Sequence, residues 1–215
     1  MLTLFGVGFS RSFRTLWALE ETDLPFTYTH VEFGSPNENG ALSEDYRRLN
    51  PQGKVPTLVH EAFVLTESAA IMDYVAQLAP EAQLFVSPQE SLSGYGAYLQ
   101  LRDFILTELE QPLWSNGKHR FALPKEQRIE GMLNTATYEF NKALGALNAL
   151  YSGETFALEK AGIPRFTLCD TLLAQTTHWA ERFKFDLPAH LLEHRDRMYE
   201  RPAAKRALKQ LEAYL

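Results

Sequence analysis

The first 80 residues alternate between short apolar runs and amphipathic stretches. Leu2 to Val7 is an apolar run bounded by Gly6 and Gly8, the pattern of a short buried strand. Phe13, Leu16 and Trp17 then share one face of a predicted helix, with Ser10 or Ser12 placed to cap it. Phe26 to Phe33 is rich in aromatic and β-branched residues and predicts a second strand, and Gly34 to Gly40 predicts a loop. Thr57–His60 and Phe63–Leu65 predict two strands joined at Glu61-Ala62, although that turn lacks the Asn-Gly chemistry hairpins favour. Ile71, Tyr74, Val75 and Leu78 fall at i, i+3, i+4 and i+7, which is one face of a helix. The order is that of a small sheet covered by helices, with room for a further helix before the third strand.

Beyond residue 80 the period changes. Pro80, Ser87 and Pro88 bracket a connection, so the predicted domains are residues 1–80 and 88–215. Residues 89–116 form one long amphipathic segment that Pro112 is expected to kink or end. Ile129, Leu133, Ala136, Phe140, Leu144 and Leu147 form the apolar stripe of a second helix, and Leu168, Leu172, Trp179 and Phe183 mark a third. Shorter helices are predicted over 188–198 and 203–213, the last entered at Pro202. The fold class is therefore a small α/β domain followed by an all-α domain.

Composition narrows the function. Of 215 residues 45% are hydrophobic, enough to build a core, and no run approaches the roughly 18 apolar residues of a membrane span. The net charge of −6 is concentrated in residues 1–80, where 5 Lys/Arg face 10 Asp/Glu. That balance argues against nucleic acid as a partner. The Met1-Leu2-Thr3-Leu4 start has no basic export signal, and a single cysteine, Cys169, permits no internal disulfide. A reducing cytoplasmic setting is expected.

Several local patterns are explained by structure alone. Gly6-Val7-Gly8 lacks the third glycine of a dinucleotide fingerprint, Arg11 standing in its place, and reads as a plain strand-to-helix turn. His190-Leu-Leu-Glu-His194 matches a zinc-binding spacing but has no third ligand in view, so it reads as a solvated helix and no metal is expected. Thr167-Leu-Cys-Asp170 reads as a capping box, with Cys169 buried inside the helix start. Two other segments carry more. In Asn50-Pro-Gln-Gly-Lys-Val-Pro-Thr-Leu58 a proline enters a strand, which suggests a cis bond at Val55-Pro56 that exposes the Val55 backbone. Glu67-Ser68-Ala-Ala-Ile71 sets an acid and a hydroxyl at a helix N-terminus, a natural carboxylate site.

With these segments in place the chain resembles the cytosolic glutathione S-transferases over nearly its whole length. Ser10-Arg-Ser-Phe-Arg14, Asn50 to Leu58, Glu67 to Ile71, Phe166 to Asp170 and Arg201-Pro202-Ala203 carry the resemblance. It implies a thioredoxin-like glutathione domain before a helical-bundle domain, a homodimer, and glutathione as cosubstrate. By position, Val55, made available by cis Pro56, would pair with the glutathione backbone. Glu67 would meet its γ-glutamyl ammonium, Ser68 the adjoining carboxylate, and Lys54 the glycyl carboxylate. The family stabilises the thiolate with a tyrosine, a serine or a reactive cysteine. Tyr28 and Cys169 are far along the chain from the first turn, so Ser10 and Ser12 remain, and the chain looks like a serine-type, bacterial-like member. Ser10 lies four residues before Arg14, as the donor commonly does in serine-type relatives, and Ser12, where relatives often carry proline, is expected to cap the helix.

An electrophile pocket lined by Phe9, Tyr95, Tyr98, Arg102, Trp114 and His119 is a further expectation from the resemblance, as is a dimer interface on 89–116 with Asp103 directed to the partner. The implied activity is conjugation of glutathione to a hydrophobic electrophile in detoxification. The alternatives are a glutathione-dependent peroxidase, isomerase or dehalogenase, or a non-catalytic binding relative.

Overall fold

A computed structural model describes residues 1–214. The chain forms two compact units, one comprising Met1–Phe85 together with the segment from Glu200 onward, the other Val86–Tyr199.

The first unit is built on four strands, β1 (Leu2–Gly6), β2 (Phe26–His30), β3 (Thr57–His60) and β4 (Phe63–Thr66), in the order β2-β1-β3-β4. β1 and β2 run parallel, whereas β3 and β4 are antiparallel to their neighbours. Leu4 pairs with Leu58 and both are fully buried, fixing the register by which face is apolar. The β3–β4 hairpin turns at Glu61-Ala62 as expected, with Glu61 taking the positive φ that glycine or asparagine more often supplies. β2 is shorter than its composition suggests. After His30 the chain turns into the next loop, and Phe33 is 62% exposed.

Helices α1 (Arg11–Thr22) and α3 (Ser68–Leu78) pack against each other, and α1 also packs against α9 (Pro202–Glu212). The short α2 (Glu44–Leu49) is capped by Ser43, with acids in its first turn and arginines in its last, as the helix dipole favours. Its Tyr46 joins Val31 and Ala41 in a small separate core, against which Phe5 and Val55 pack.

The second unit is helical: α4 (Leu92–Phe104), α5 (Glu110–Gly117), α6 (Gly131–Leu147), α7 (Leu168–Arg182) and α8 (Ala189–Tyr199). Pro112 does not end the first of these segments. A π-turn at Ile105–Leu109 precedes α5, and a second follows at Lys118–Ala122, so helical backbone continues well past the proline. Ile129 falls outside the stripe to which its spacing assigned it: α6 begins at Gly131 and Ile129 is 60% exposed. The capping box at α7 is present and Cys169 is buried. His194, by contrast, is not on a solvated face. It is fully buried on α8, with Nε2 3.0 Å from Asp170 Oδ1. Among the described residues no helix is long and apolar enough to cross a membrane.

Candidate functional site

The register of the sheet brings three separate sequence segments to one end of the first unit. Phe5 pairs with Thr57 and Thr57 with Thr66, so the C-terminal end of β1, the N-terminal end of β3 and the C-terminal end of β4 coincide. The segments that leave or enter there are Val7–Ser10, Val55-Pro56 and Glu67-Ser68.

The first turn is tied by hydroxyls. Ser10 is the N-cap of α1: its Oγ accepts the Ser12 N–H at 3.1 Å and lies 2.6 Å from Val7 O, its hydrogen-bond acceptor. Ser12 Oγ accepts the Val7 N–H at 3.2 Å and lies 2.9 Å from Ser10 Oγ. The capping role assigned to Ser12 therefore belongs to Ser10. Ser12 is already the second residue of the helix, and its side chain turns back into the strand end, fully buried. Ser10 keeps partial exposure. Gly6 makes room for this arrangement, because a Cβ there would lie 2.6 Å from Ser12 Cβ. Tyr28 is much nearer to this turn than its sequence distance implies. Its Cε2 would be 3.1 Å from that same Cβ, but the residue is 7% exposed and burial pushes its phenol far above the ordinary range.

The second segment is held from behind. The Val55-Pro56 bond is cis, as anticipated. Lys54 O accepts both the Tyr46 hydroxyl and Asn50 Nδ2, each at 2.7 Å, and the same two side chains reach Thr57 Oγ1 at 2.9 and 3.2 Å. Burial raises the Tyr46 pKa, which keeps the hydroxyl a donor. This clamp leaves the Val55 backbone N–H and C=O unbonded among the described residues. Lys54 is exposed, its Nζ 2.9 Å from Gln52 Oε1.

At the third segment Glu67 adopts φ 68° and ψ 110°, a conformation rare for a non-glycine residue. Its side chain is exposed and makes no capping bond to α3. Ser68 opens the helix, where the first backbone N–H groups have no intrahelical acceptor. Behind it Arg14 Nε donates to Ser68 Oγ at 2.9 Å, and the two residues are 1% and 4% exposed. Sequence reasoning missed Tyr46, Asn50 and Arg14 as supports. An arginine on a first helix carries no mark of burial, whereas an Asn before Pro at a turn was a visible signal.

The other predicted residues are scattered in environment. Phe9 is half-buried, its ring 5.3 Å from Phe13. In the second unit Tyr98 is fully buried, Tyr95 and Trp114 are half-buried, and Arg102 Nε bonds Asp103 Oδ1 at 2.8 Å. His119 Nδ1 accepts the Ile129 N–H at 3.2 Å, and Arg128 ties the carbonyls of Arg120, Phe121 and Leu123, so this histidine helps hold the loop after α5.

A thioredoxin-like sheet whose strand ends gather a serine turn, a cis-proline segment and a helix N-terminus, with a helical unit in the same chain, defines a recognised class of protein. Residues 1–77 match the glutathione S-transferase N-terminal domain model. Over 197 residues the chain is 32% identical to glutathione S-transferase GstA of Escherichia coli O157:H7, covering 88% of this chain and 89% of that one. The fold is similar to a glutathione transferase from Methylococcus capsulatus, with TM-score 0.83 and 25% identity over 99% of this chain and all of that one. It is also similar to a sphingomonad glutathione S-transferase solved with glutathione, with TM-score 0.81 and 25% identity over 98% of each chain. The chain belongs to the glutathione S-transferase family.

Proposed function

We propose that this chain binds glutathione at the shared strand end of its first unit and activates the thiol for attack on a hydrophobic electrophile. The observation that carries the reading is the convergence of an unbonded Val55 backbone, the strained Glu67 ahead of the α3 N-terminus, and the half-exposed Ser10. Glu67 would face the γ-glutamyl ammonium, and Ser68 with the first N–H groups of α3 the adjoining carboxylate. Val55 would pair with the peptide backbone beside cis Pro56, and Lys54 would meet the glycyl carboxylate as a point charge. The cysteinyl thiol, with an ordinary pKa near ~8.5, needs a donor to favour its charged form. The Ser10 hydroxyl supplies it by rotating from Val7 O, with α1's N-terminal N–H groups adding a favourable field. The thiolate then forms the C–S bond as the electrophile releases its leaving group. Phe9, Arg102, Trp114 and His119 are our candidates beside the electrophile, while Tyr98, fully buried, would shape the unit from within.

Retention on immobilised glutathione, followed by a panel of aryl halides, epoxides and peroxides, tests this reading. Capture with conjugation of at least one electrophile is expected. Folded protein that neither binds glutathione nor turns over any of these overturns it. We further propose a cytoplasmic C2 homodimer using the α4 segment, with exposed Asp103 reaching toward the partner. Sedimentation at micromolar concentration should give twice the 24.5 kDa chain mass.

A further inference from the structure

Two buried side chains, Tyr46 and Asn50, converge on one backbone oxygen, Lys54 O. A carbonyl can only accept, so the Tyr46 hydroxyl proton and one Asn50 Nδ2 proton, with donor atoms 2.7 Å away, both point to it. The other Asn50 Nδ2 proton then goes to Thr57 Oγ1 at 3.2 Å, and the Thr57 hydroxyl donates to Tyr46 Oη at 2.9 Å. This ring of bonds fills both lone pairs of Lys54 O. The donors are themselves fixed. The Tyr46 ring lies 6.0 Å from that of Phe5 in the small core with Val31 and Ala41, and Asn50 Oδ1 accepts the Gln52 N–H at 3.2 Å. Lys54 O and the Val55 N–H belong to one planar, trans peptide group, so they point in opposite directions. Two donors holding the carbonyl on one side therefore send the N–H to the other, where it has no acceptor among the described residues.

We infer that Tyr46 and Asn50 are positioning residues for the ligand's cysteinyl carbonyl, acting through Lys54 O to aim the Val55 N–H at it. This rests on the glutathione reading above, in which Lys54 takes the glycyl end and Ser68 the glutamyl end, and it assigns that reading two further residues. Neither side chain touches the ligand in this role. Their loss is therefore read only in ligands that carry an oxygen for Val55 to meet.

The test measures binding of glutathione, γ-glutamylcysteine and γ-glutamylcysteamine to Tyr46→Phe, Asn50→Ala and Tyr74→Phe, each checked for native circular dichroism. The first two ligands present an oxygen at the cysteinyl carbonyl position, and the third has only hydrogen there. Tyr46→Phe keeps the ring and its packing but removes one donor to Lys54 O. It should weaken the first two ligands roughly 3- to 10-fold, the scale of one neutral hydrogen bond, and the third less than about 2-fold. Asn50→Ala should give the same pattern. Tyr74→Phe is the control: it breaks the 2.8 Å bond to His60 at the far end of β3 and should shift none of the three by more than about 2-fold. Should Tyr46→Phe fail to fold, the three-ligand comparison of Asn50→Ala with the wild type decides alone. Equal losses for all three ligands, or unchanged glutathione binding in Tyr46→Phe, would overturn the inference. A wild type that binds none of the three instead overturns the functional reading itself.

Discussion

At Ser10 one hydroxyl caps α1, and the proposed function gives it a second purpose that can be separated from the first. As N-cap of α1 it accepts the Ser12 N–H, and as thiolate donor it would turn its proton from Val7 O to the ligand. Ser10→Ala should therefore cost about 1 kcal/mol of stability through the lost cap. It should also raise the pKa of bound glutathione thiol and lower kcat/KM by roughly 10 to 1,000-fold. Glutathione affinity should change little, since in the proposed site Val55, Glu67 and Ser68 would still hold the peptide. Ser12→Ala leaves the Val7 N–H without its acceptor and should cost about 1–3 kcal/mol, with the thiol titration unmoved. Thiolate absorbance against pH in both variants distinguishes the roles, and an upward shift in Ser12→Ala alone would reverse them. The resemblance narrowed the proposed donor to two serines, but the cap went to the one not expected. Spacing shows which residues are near a turn, whereas the direction of a side chain depends on Gly6 leaving space for Ser12 to fold inward.

Among the elements, α7 shows how much a motif can understate. The capping box was legible from Thr167 and Asp170 alone, yet Asp170 does more than cap. Its Oδ2 accepts the Thr167 N–H at 2.8 Å, while Oδ1 accepts the Ala157 N–H at 2.7 Å and lies 3.0 Å from His194 Nε2. One buried carboxylate thus holds the start of α7, the preceding loop and α8. Asp170→Ala should cost about 3–5 kcal/mol, the range for removing one partner of a buried charged network and well above a cap alone. Asp170→Asn should not rescue it, because each oxygen faces a backbone N–H and the amide NH2 must displace one of them. Urea unfolding measures both, and a loss near 1 kcal/mol would reduce Asp170 to a cap. Glutathione affinity of the folded variants should stay close to wild type, and its selective loss would move the residue into the site. The π-turns flanking α5 were illegible for a different reason. Periodicity predicts which residues face inward, but one extra residue in a turn shifts phase without leaving a compositional mark.

For the whole molecule, the alternation of strands and helices gave the order of elements, but not where the chain's end belongs. The final helix reads as one more amphipathic helix after four others, yet the segment from Glu200 joins the first unit. Apolar spacing identifies the buried face of α9, with Ala203, Ala204, Ala207 and Leu211, and says nothing of its partner. The partner is α1. Arg201 Nε and Nη2 meet Glu21 Oε1 and Oε2 at 2.6 and 2.8 Å, Trp17 Nε1 donates to the same Glu21 at 2.9 Å, and Arg206 Nε bonds Glu20 at 2.6 Å. Glu21's side chain is only 9% exposed, so the bidentate pair is shielded from solvent on its acidic side. Arg201→Ala should consequently cost about 2 kcal/mol, because it strands a mostly buried carboxylate with a single remaining donor. The loss should be regional. Hydrogen exchange should quicken in α1 and α9 while the amides of α6 and α7 keep their protection, since those helices belong to the other unit. Equal acceleration in all four would mean that the two units unfold as one. Because Arg14 of α1 hydrogen-bonds Ser68 at the proposed glutathione site, loosening α1 from the C-terminal end should also weaken glutathione binding, and Glu21→Gln, which keeps an acceptor for Trp17, should weaken it less.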